Sequence, residues 1–108
     1  MIVFTVKIMN DFIHSPIWIY DKDGITDEPS LIADDAILQN LCGKAEDMYT
    51  SYYEFDSHGM PCWFNHEKEK EEKTIMLNLI SQIKARLEKI NDGSFVIEDL
   101  ETEKLVNL

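Results

Sequence analysis

Three side chains able to bind a metal or carry acyl chemistry recur at four-residue intervals: His58, Cys62 and His66. On a continuous helix they would share a face, and two imidazoles with a thiolate make three of the four ligands of a tetrahedral zinc site. Gly59 and Pro61 lie among them and forbid such a helix, so the spacing loses its geometric meaning. Cys42 or a carboxylate would have to complete the set, and neither C-x-x-C nor H-E-x-x-H occurs. A Cys62 thiolate with His58 or His66 as base has the two groups that acyl transfer needs. No residue is in evidence to orient that base or to hold an oxyanion. The plainer reading is a loop histidine, a thiol and a histidine at a helix start, with no metal and no cofactor.

Other chemistry is weaker. Asp21-Lys22-Asp23-Gly24 has the look of a calcium loop, but aligning Gly24 with the invariant glycine puts Ile19 at the first ligand and Ser30 at the last. A tight turn is the better reading, since Asp-Gly supplies positive φ values. No serine sits in G-x-S-x-G, and the four glycines are too scattered to cradle a phosphate. With 21 acids in 108 residues, close carboxylate pairs arise without selection for acid–base work. The chain is not expected to be an enzyme.

What remains is a recognition surface. Glu46, Asp47, Tyr49, Tyr52, Tyr53, Glu54 and Asp56 crowd one short stretch. Tyrosine and tryptophan give large contact area at low entropic cost, and surrounding carboxylates suit a partner rich in Lys and Arg. Tyr52 is in register with an apolar stripe and is assigned to the core. The candidate partner-binding set is therefore Asp21, Asp23, Glu46, Asp47, Tyr49, Tyr53, Glu54, Asp56 and Trp63.

Charge supports this emphasis. The formal net charge is −11, from 10 basic and 21 acidic residues, and it is spread along the chain. Residues 1–36 carry −5, residues 37–65 carry −3 and residues 66–108 carry −3. Such a field repels nucleic acid and anionic membrane and steers basic partners inward, or it serves solubility alone. Two cysteines make no disulfide framework, and Met1–Phe12 lacks the basic start and cleavage site of a signal peptide. No run approaches the ~20 apolar residues of a membrane span. A cytoplasmic setting is expected.

These residues need elements to position them. Residues 1–108 read as one α+β domain. Met1–Met9 alternates as a strand, Asn10–Ser15 is a loop, Ile17–Tyr20 a second strand and Thr26–Ser30 a connection. A helix from about Asp34 to Tyr53 carries the stripe Ile37, Leu41, Ala45, Met48 and Tyr52, broadened by Leu38 and Tyr49, with Asp34 and Asp35 at its start. Glu54–Asn65 interrupts the helices, with room for a short strand at Cys62–Phe64. Asn65 is the expected cap of a long helix, His66–Ile90, whose stripe is Met76, Ile80, Ile83, Leu87 and Ile90. Gly93 is its expected left-handed cap, Ser94–Ile97 a third strand, and Asp99–Leu108 a short helix or a tail. The expected architecture is a three- or four-stranded, mainly antiparallel sheet with two helices packed on one face.

The segments IWIYDKDGI, MYTSYYEFDSHGMPCWFN and ARLEKINDGSFVIEDLETEKL make the chain resemble small acidic proteins encoded beside bacterial polymorphic toxins. It is similar in particular to immunity proteins of contact-dependent growth inhibition systems. That resemblance implies a protein that binds and neutralises the C-terminal domain of its cognate toxin, a basic nuclease such as a tRNase, in a one-to-one complex. It carries no residue-level site. Two alternatives stand beside it: a small zinc- or thiol-dependent enzyme using His58, Cys62 and His66, and a non-catalytic adaptor or dimeric subunit.

Overall fold

The structure, a computed structural model, describes residues 2–108. Strands β1 (Phe4–Ile8), β2 (Ile17–Asp21) and β3 (Gly24–Ile25) precede helices α1 (Ser30–Ala33) and α2 (Ala36–Thr50). A hairpin follows, β4 (Tyr53–Ser57) and β5 (Met60–Phe64), then α3 (His66–Glu71), α4 (Lys73–Ile90), β6 (Phe95–Asp99) and α5 (Thr102–Val106). The fold is α+β, as the sequence pattern requires. Among the described residues no helix is long and apolar enough to cross a membrane.

Four strands form one sheet in the order β3-β2-β1-β6. β1 pairs antiparallel with β2, β2 pairs antiparallel with β3, and β1 pairs parallel with β6 in a register that sets Phe4 beside Phe95. The sheet is thus mixed, and the last strand lies against the first. Period-two alternation sorts its faces. Val6, Ile8, Ile17, Ile19 and Phe95 are buried on one face, in one cluster with Ile32, Leu38, Cys42, Ala45, Met76, Ile80, Ile83, Leu87 and Leu105 from the helices. The opposite face carries Thr5, Lys7, Trp18, Tyr20, Val96 and Glu98, none fully buried. There Lys7 Nζ lies 4.5 Å from the centre of the Tyr20 ring and 3.9 Å from the Glu98 carboxylate.

Helix α2 turns its stripe differently from the expected one. Leu38, Cys42, Ala45 and Tyr52 are buried, Leu41 and Met48 are half-buried, and Ile37 is 56 % exposed. The cause lies at the helix start. Asp35 alone is the N-cap, its side chain accepting from the Leu38 N–H at 2.8 Å, while Asp34 ends α1. That start brings Leu38 and Cys42 inward. The helix also stops at Thr50, so Tyr53 belongs to a strand. In α4 the expected stripe holds: Met76, Ile80, Ile83 and Leu87 are buried and Ile90 is half-buried.

The long helix is divided at Glu72, whose φ of −93° and ψ of 5° leave the helical region. Helix α3 buries none of its charged residues, so no core contact holds it in line with α4. Asn65 caps α3 as expected, accepting from the Lys68 N–H at 2.9 Å. Gly93 does take a positive φ, 94°, but it lies in the loop after the helix rather than at its cap. The α4 cap is Asn91, whose side chain accepts from the Gly93 N–H at 2.9 Å.

One contact ties the helices across this layer. Arg86 on α4 grips the α2 cap with Nε 3.0 Å from Asp35 Oδ1 and Nη2 2.7 Å from Oδ2. The Arg86 guanidinium and the Leu38 N–H hold the Asp35 carboxyl below its ordinary value of 3.8. Its contribution to stability is therefore present above the ordinary value and lost as the pH falls through the depressed one. Asp35→Ala removes cap and pair together, and the cap alone is worth about 1 kcal/mol, a loss of roughly 4–8 °C in melting temperature for a domain of this size. Asp35→Asn keeps a capping oxygen and melts between the two at pH 7. Thermal melts followed by circular dichroism should show the gap between wild type and Asp35→Asn closing as the pH is lowered through the acid range.

Candidate functional site

The stretch expected to be an interruption is a hairpin and a sheet of its own. Tyr53 faces Phe64, Glu54 faces Trp63 and Phe55 faces Cys62 across antiparallel strands. Its turn uses His58 and Gly59, at φ 53° and 71°. Both central residues are left-handed, as a type I′ turn requires. Asn65 fastens the root: its N–H donates to the Tyr52 carbonyl at 2.7 Å, and its amide donates to the Glu54 carboxylate at 2.7 Å.

An aromatic cluster anchors that root. The Tyr53 and Phe64 rings are 4.9 Å apart, and Tyr49 at the end of α2 lies 5.9 Å from both. Tyr52, 1 % exposed, meets Phe64 edge-on at 6.0 Å. Phe12, from the loop after β1, reaches Tyr53 at 4.7 Å and Phe55 at 5.8 Å. These tilted and edge-to-face spacings are the favoured geometries for rings. Burial raises the Tyr49 hydroxyl far above its ordinary value, with the neighbouring Tyr53 adding to the effect. On the other face of the hairpin His58 stacks on Trp63 at 3.8 Å.

Beyond the root the hairpin stands free. Phe55 is 58 % exposed and Met60 50 %, and Asp56, His58, Gly59, Pro61 and Cys62 are exposed too. The molecule measures 51 Å along one axis and 27 and 25 Å along the others. The result is an arm with two apolar side chains near its tip and, among the described residues, strand edges paired to no other strand.

The structure unites part of the expected set. Tyr49, Tyr53, Glu54, Asp56 and Trp63 belong to the hairpin and its root. Asp47 is exposed on the last turns of α2. Glu46 lines a separate cleft with Trp18, Ile25 and Glu28. Asp21 and Asp23 lie in the β2–β3 turn of the other sheet, where the Asp21 carboxylate accepts from the Asp23 N–H at 2.8 Å. His58, Cys62 and His66 do not converge: His58 is in the turn, Cys62 is on β5, and His66 begins α3 with its ring against Phe64 at 4.7 Å.

Phe12, Phe55 and Met60 are the residues that sequence reasoning missed. The signal was the alternation Tyr53-x-Phe55 and Cys62-x-Phe64 about His58-Gly59, hidden while Tyr53 was read as helical. Ile13 was missed as well. It is β-branched, 67 % exposed and held at φ 49°, a strained combination. Its N–H donates to the Thr50 Oγ at 3.2 Å, which ties the Phe12 loop to the end of α2.

Two measurements check this geometry. Asparagine tolerates the left-handed region, so Ile13→Asn should raise stability by about 1 kcal/mol in a denaturant titration. The two thiols should also react very differently. Burial pushes Cys42 up to about 12, whereas Cys62 is exposed. An aromatic disulfide reagent at pH 8 should therefore modify one thiol per folded chain, Cys62, and two only after unfolding.

Comparison with protein-family models, with curated proteins and with solved structures returned no match.

Proposed function

We propose that the chain is a non-catalytic immunity protein that binds and neutralises a basic toxin domain, a nuclease such as a tRNase, in a one-to-one complex. The observation that carries this reading is the exposed aromatic and apolar hairpin on a body of net charge −11. A β-arm with unpaired edges offers a backbone ladder to a partner strand, and its alternating side chains supply pockets or anchors. Phe55 and Met60 suit an apolar cleft. Glu54 and Asp56 on the same arm, with Asp47 on α2, suit the lysines and arginines around a nucleic-acid-cleaving surface. The resemblance of the segments at the hairpin and at β2 to immunity proteins points the same way.

The test uses the chain as bait in lysate of the cells that encode it, beside a Phe55→Ser, Met60→Ser double variant. Both substituted side chains are exposed, so the variant should melt within a few degrees of wild type. The expected result is one basic domain, retained stoichiometrically at low salt, released at high salt, and lost or at least about ten-fold weakened by the variant. Expressed alone, that domain should arrest growth, and co-expression of this chain should restore it. A stoichiometric partner held equally by both baits would reject the hairpin as the docking arm. Failure to restore growth would reject inhibition.

A further inference from the structure

We infer that the cleft where β2, the chain after β3 and α2 meet seats an arginine-bearing segment of the docked protein, so that the docking face runs from the hairpin across Ile13 into this cleft. This second contact rests on the function proposed above and adds to it a place and a side-chain type. The cleft has a volume of about 420 Å³. Its walls include Ile13, Trp18 and Ile25 with the His14 ring, and Asp27, Glu28 and Glu46 supply its acids.

Walls and acids together select the occupant. The His14 ring lies flat on the Trp18 indole, with centres 3.7 Å apart and planes 4° apart, and its Nδ1 donates to the Ser15 carbonyl. The Trp18 indole N–H donates to the Met9 carbonyl at 3.1 Å. Both rings are thus fixed by backbone contacts, and Ile13 and Ile25 are exposed beside them. Of the acids, Glu28 accepts from the Gln39 amide at 3.2 Å. Asp27 is exposed and Glu46 half-buried, and among the described residues neither has an ion pair. No lysine or arginine lines the cleft. Lys7, opposite Trp18 in the ladder, is turned onto the Tyr20 ring and toward Glu98. The negative charge of the cleft is therefore unmatched from within. An arginine fits both halves: its stem covers apolar surface, its flat guanidinium stacks on aromatic rings, and its fork of N–H donors meets carboxylates. An anion would meet like charge, and a purely apolar side chain would strip water from Glu46 with nothing in return.

One short loop carries the surface from the hairpin to the cleft. Phe12 packs on Tyr53 and Phe55 of the arm, and His14, two residues on, lines the cleft. Ile13 between them is exposed at a φ of 49°, a costly conformation for a β-branched residue. Its N–H bond to the Thr50 Oγ ties the loop to α2, the helix that carries Glu46. A partner seated on Phe55 therefore has Ile13, and then the cleft, as its next surface along this loop.

Two readouts test the site. In the first, acetyl-valyl-arginyl-valine amide and its glutamyl twin are titrated into the isotopically labelled chain at fixed ionic strength and followed by NMR. The arginyl peptide should shift the Trp18 indole N–H and the Ile13 and Ile25 methyls saturably, and the glutamyl peptide should not. An Asp27→Asn, Glu46→Gln double variant should weaken that binding about ten-fold or more. A Glu88→Gln, Glu103→Gln variant removes the same charge from α4 and α5, which line no part of this cleft, and should leave the titration unchanged. In the second readout, capture of the basic domain is compared across baits. The Asp27→Asn, Glu46→Gln variant should weaken capture about ten-fold. Ile13→Asn should weaken it while melting no lower than wild type, a combination that loss of folding does not produce. No saturable shift, an equal shift by both peptides, or an equal loss with the α4–α5 variant would overturn the inference. Full capture by both cleft variants, with capture lost in the Phe55→Ser, Met60→Ser variant, would remove the cleft from the docking face and leave the proposed function standing. A chain that binds the arginyl peptide in this cleft yet captures no basic domain would reject the immunity reading and keep the arginine site.

Discussion

The fork between Arg86 and Asp35 is the joint on which the helical layer depends. A sheet with one apolar face needs a cover, and α2 and α4 supply it only if they lie at a fixed rotation relative to one another. Asp35 sets the rotation of α2 through its cap, and Arg86 refers that rotation to α4 through two parallel hydrogen bonds. With 21 % of the arginine side chain and 11 % of the aspartate exposed, the pair is shielded enough to hold its geometry. The buried positions on α2, Leu38, Cys42 and Ala45, follow from that angle. So does the direction in which the chain leaves the helix toward the hairpin.

The hairpin obeys a different economy. It contributes little to the core and is held at its root by Asn65 and by rings from three separated segments, Phe12, Tyr49 with Tyr52, and Phe64. Domains of this size are marginally stable, and large exposed apolar side chains add little to the folded state while favouring aggregation. Phe55 and Met60 at the free end leave apolar surface in water, and the net charge of −11 is what opposes association through it.

Much of this architecture was legible in the residue pattern because local chemistry dictated it. The alternation of Phe4–Ile8, the Asp23-Gly24 turn, the Asn65 cap and the α4 stripe each express a rule that acts within a few residues. What escaped was set by tertiary context. Ile37 has the right spacing for a core position, but the cap at Asp35 places the helix so that Leu38 and Cys42 turn inward. Tyr53 has the right spacing to extend α2, but two-residue turn geometry at His58-Gly59 draws it into a strand. The charged run Glu67–Lys73 gave no sign of the break at Glu72, because nothing in a solvated stretch fixes where a helix must stay straight. Of the candidate site, the aromatic and acidic character was readable from the words YYEFD and CWF. The cleft beside Trp18 was not, since His14, Asp27 and Glu46 come together only when three separate segments meet.

The pairing of Phe4 with Phe95 has a consequence for how the molecule is made. β1 is an interior strand of the sheet, and one of its two neighbours, β6, lies far along the sequence. Until β6 emerges, β1 has an open side with Val6 and Ile8 incompletely covered, so the growing chain cannot finish its sheet in step with translation. Closing so long a loop is entropically costly and makes assembly slower than a run of local hairpins would be. The four-stranded sheet therefore closes late, once Phe95–Asp99 has left the ribosome. A chain that stops short of Phe95 leaves one side of β1 without its neighbour.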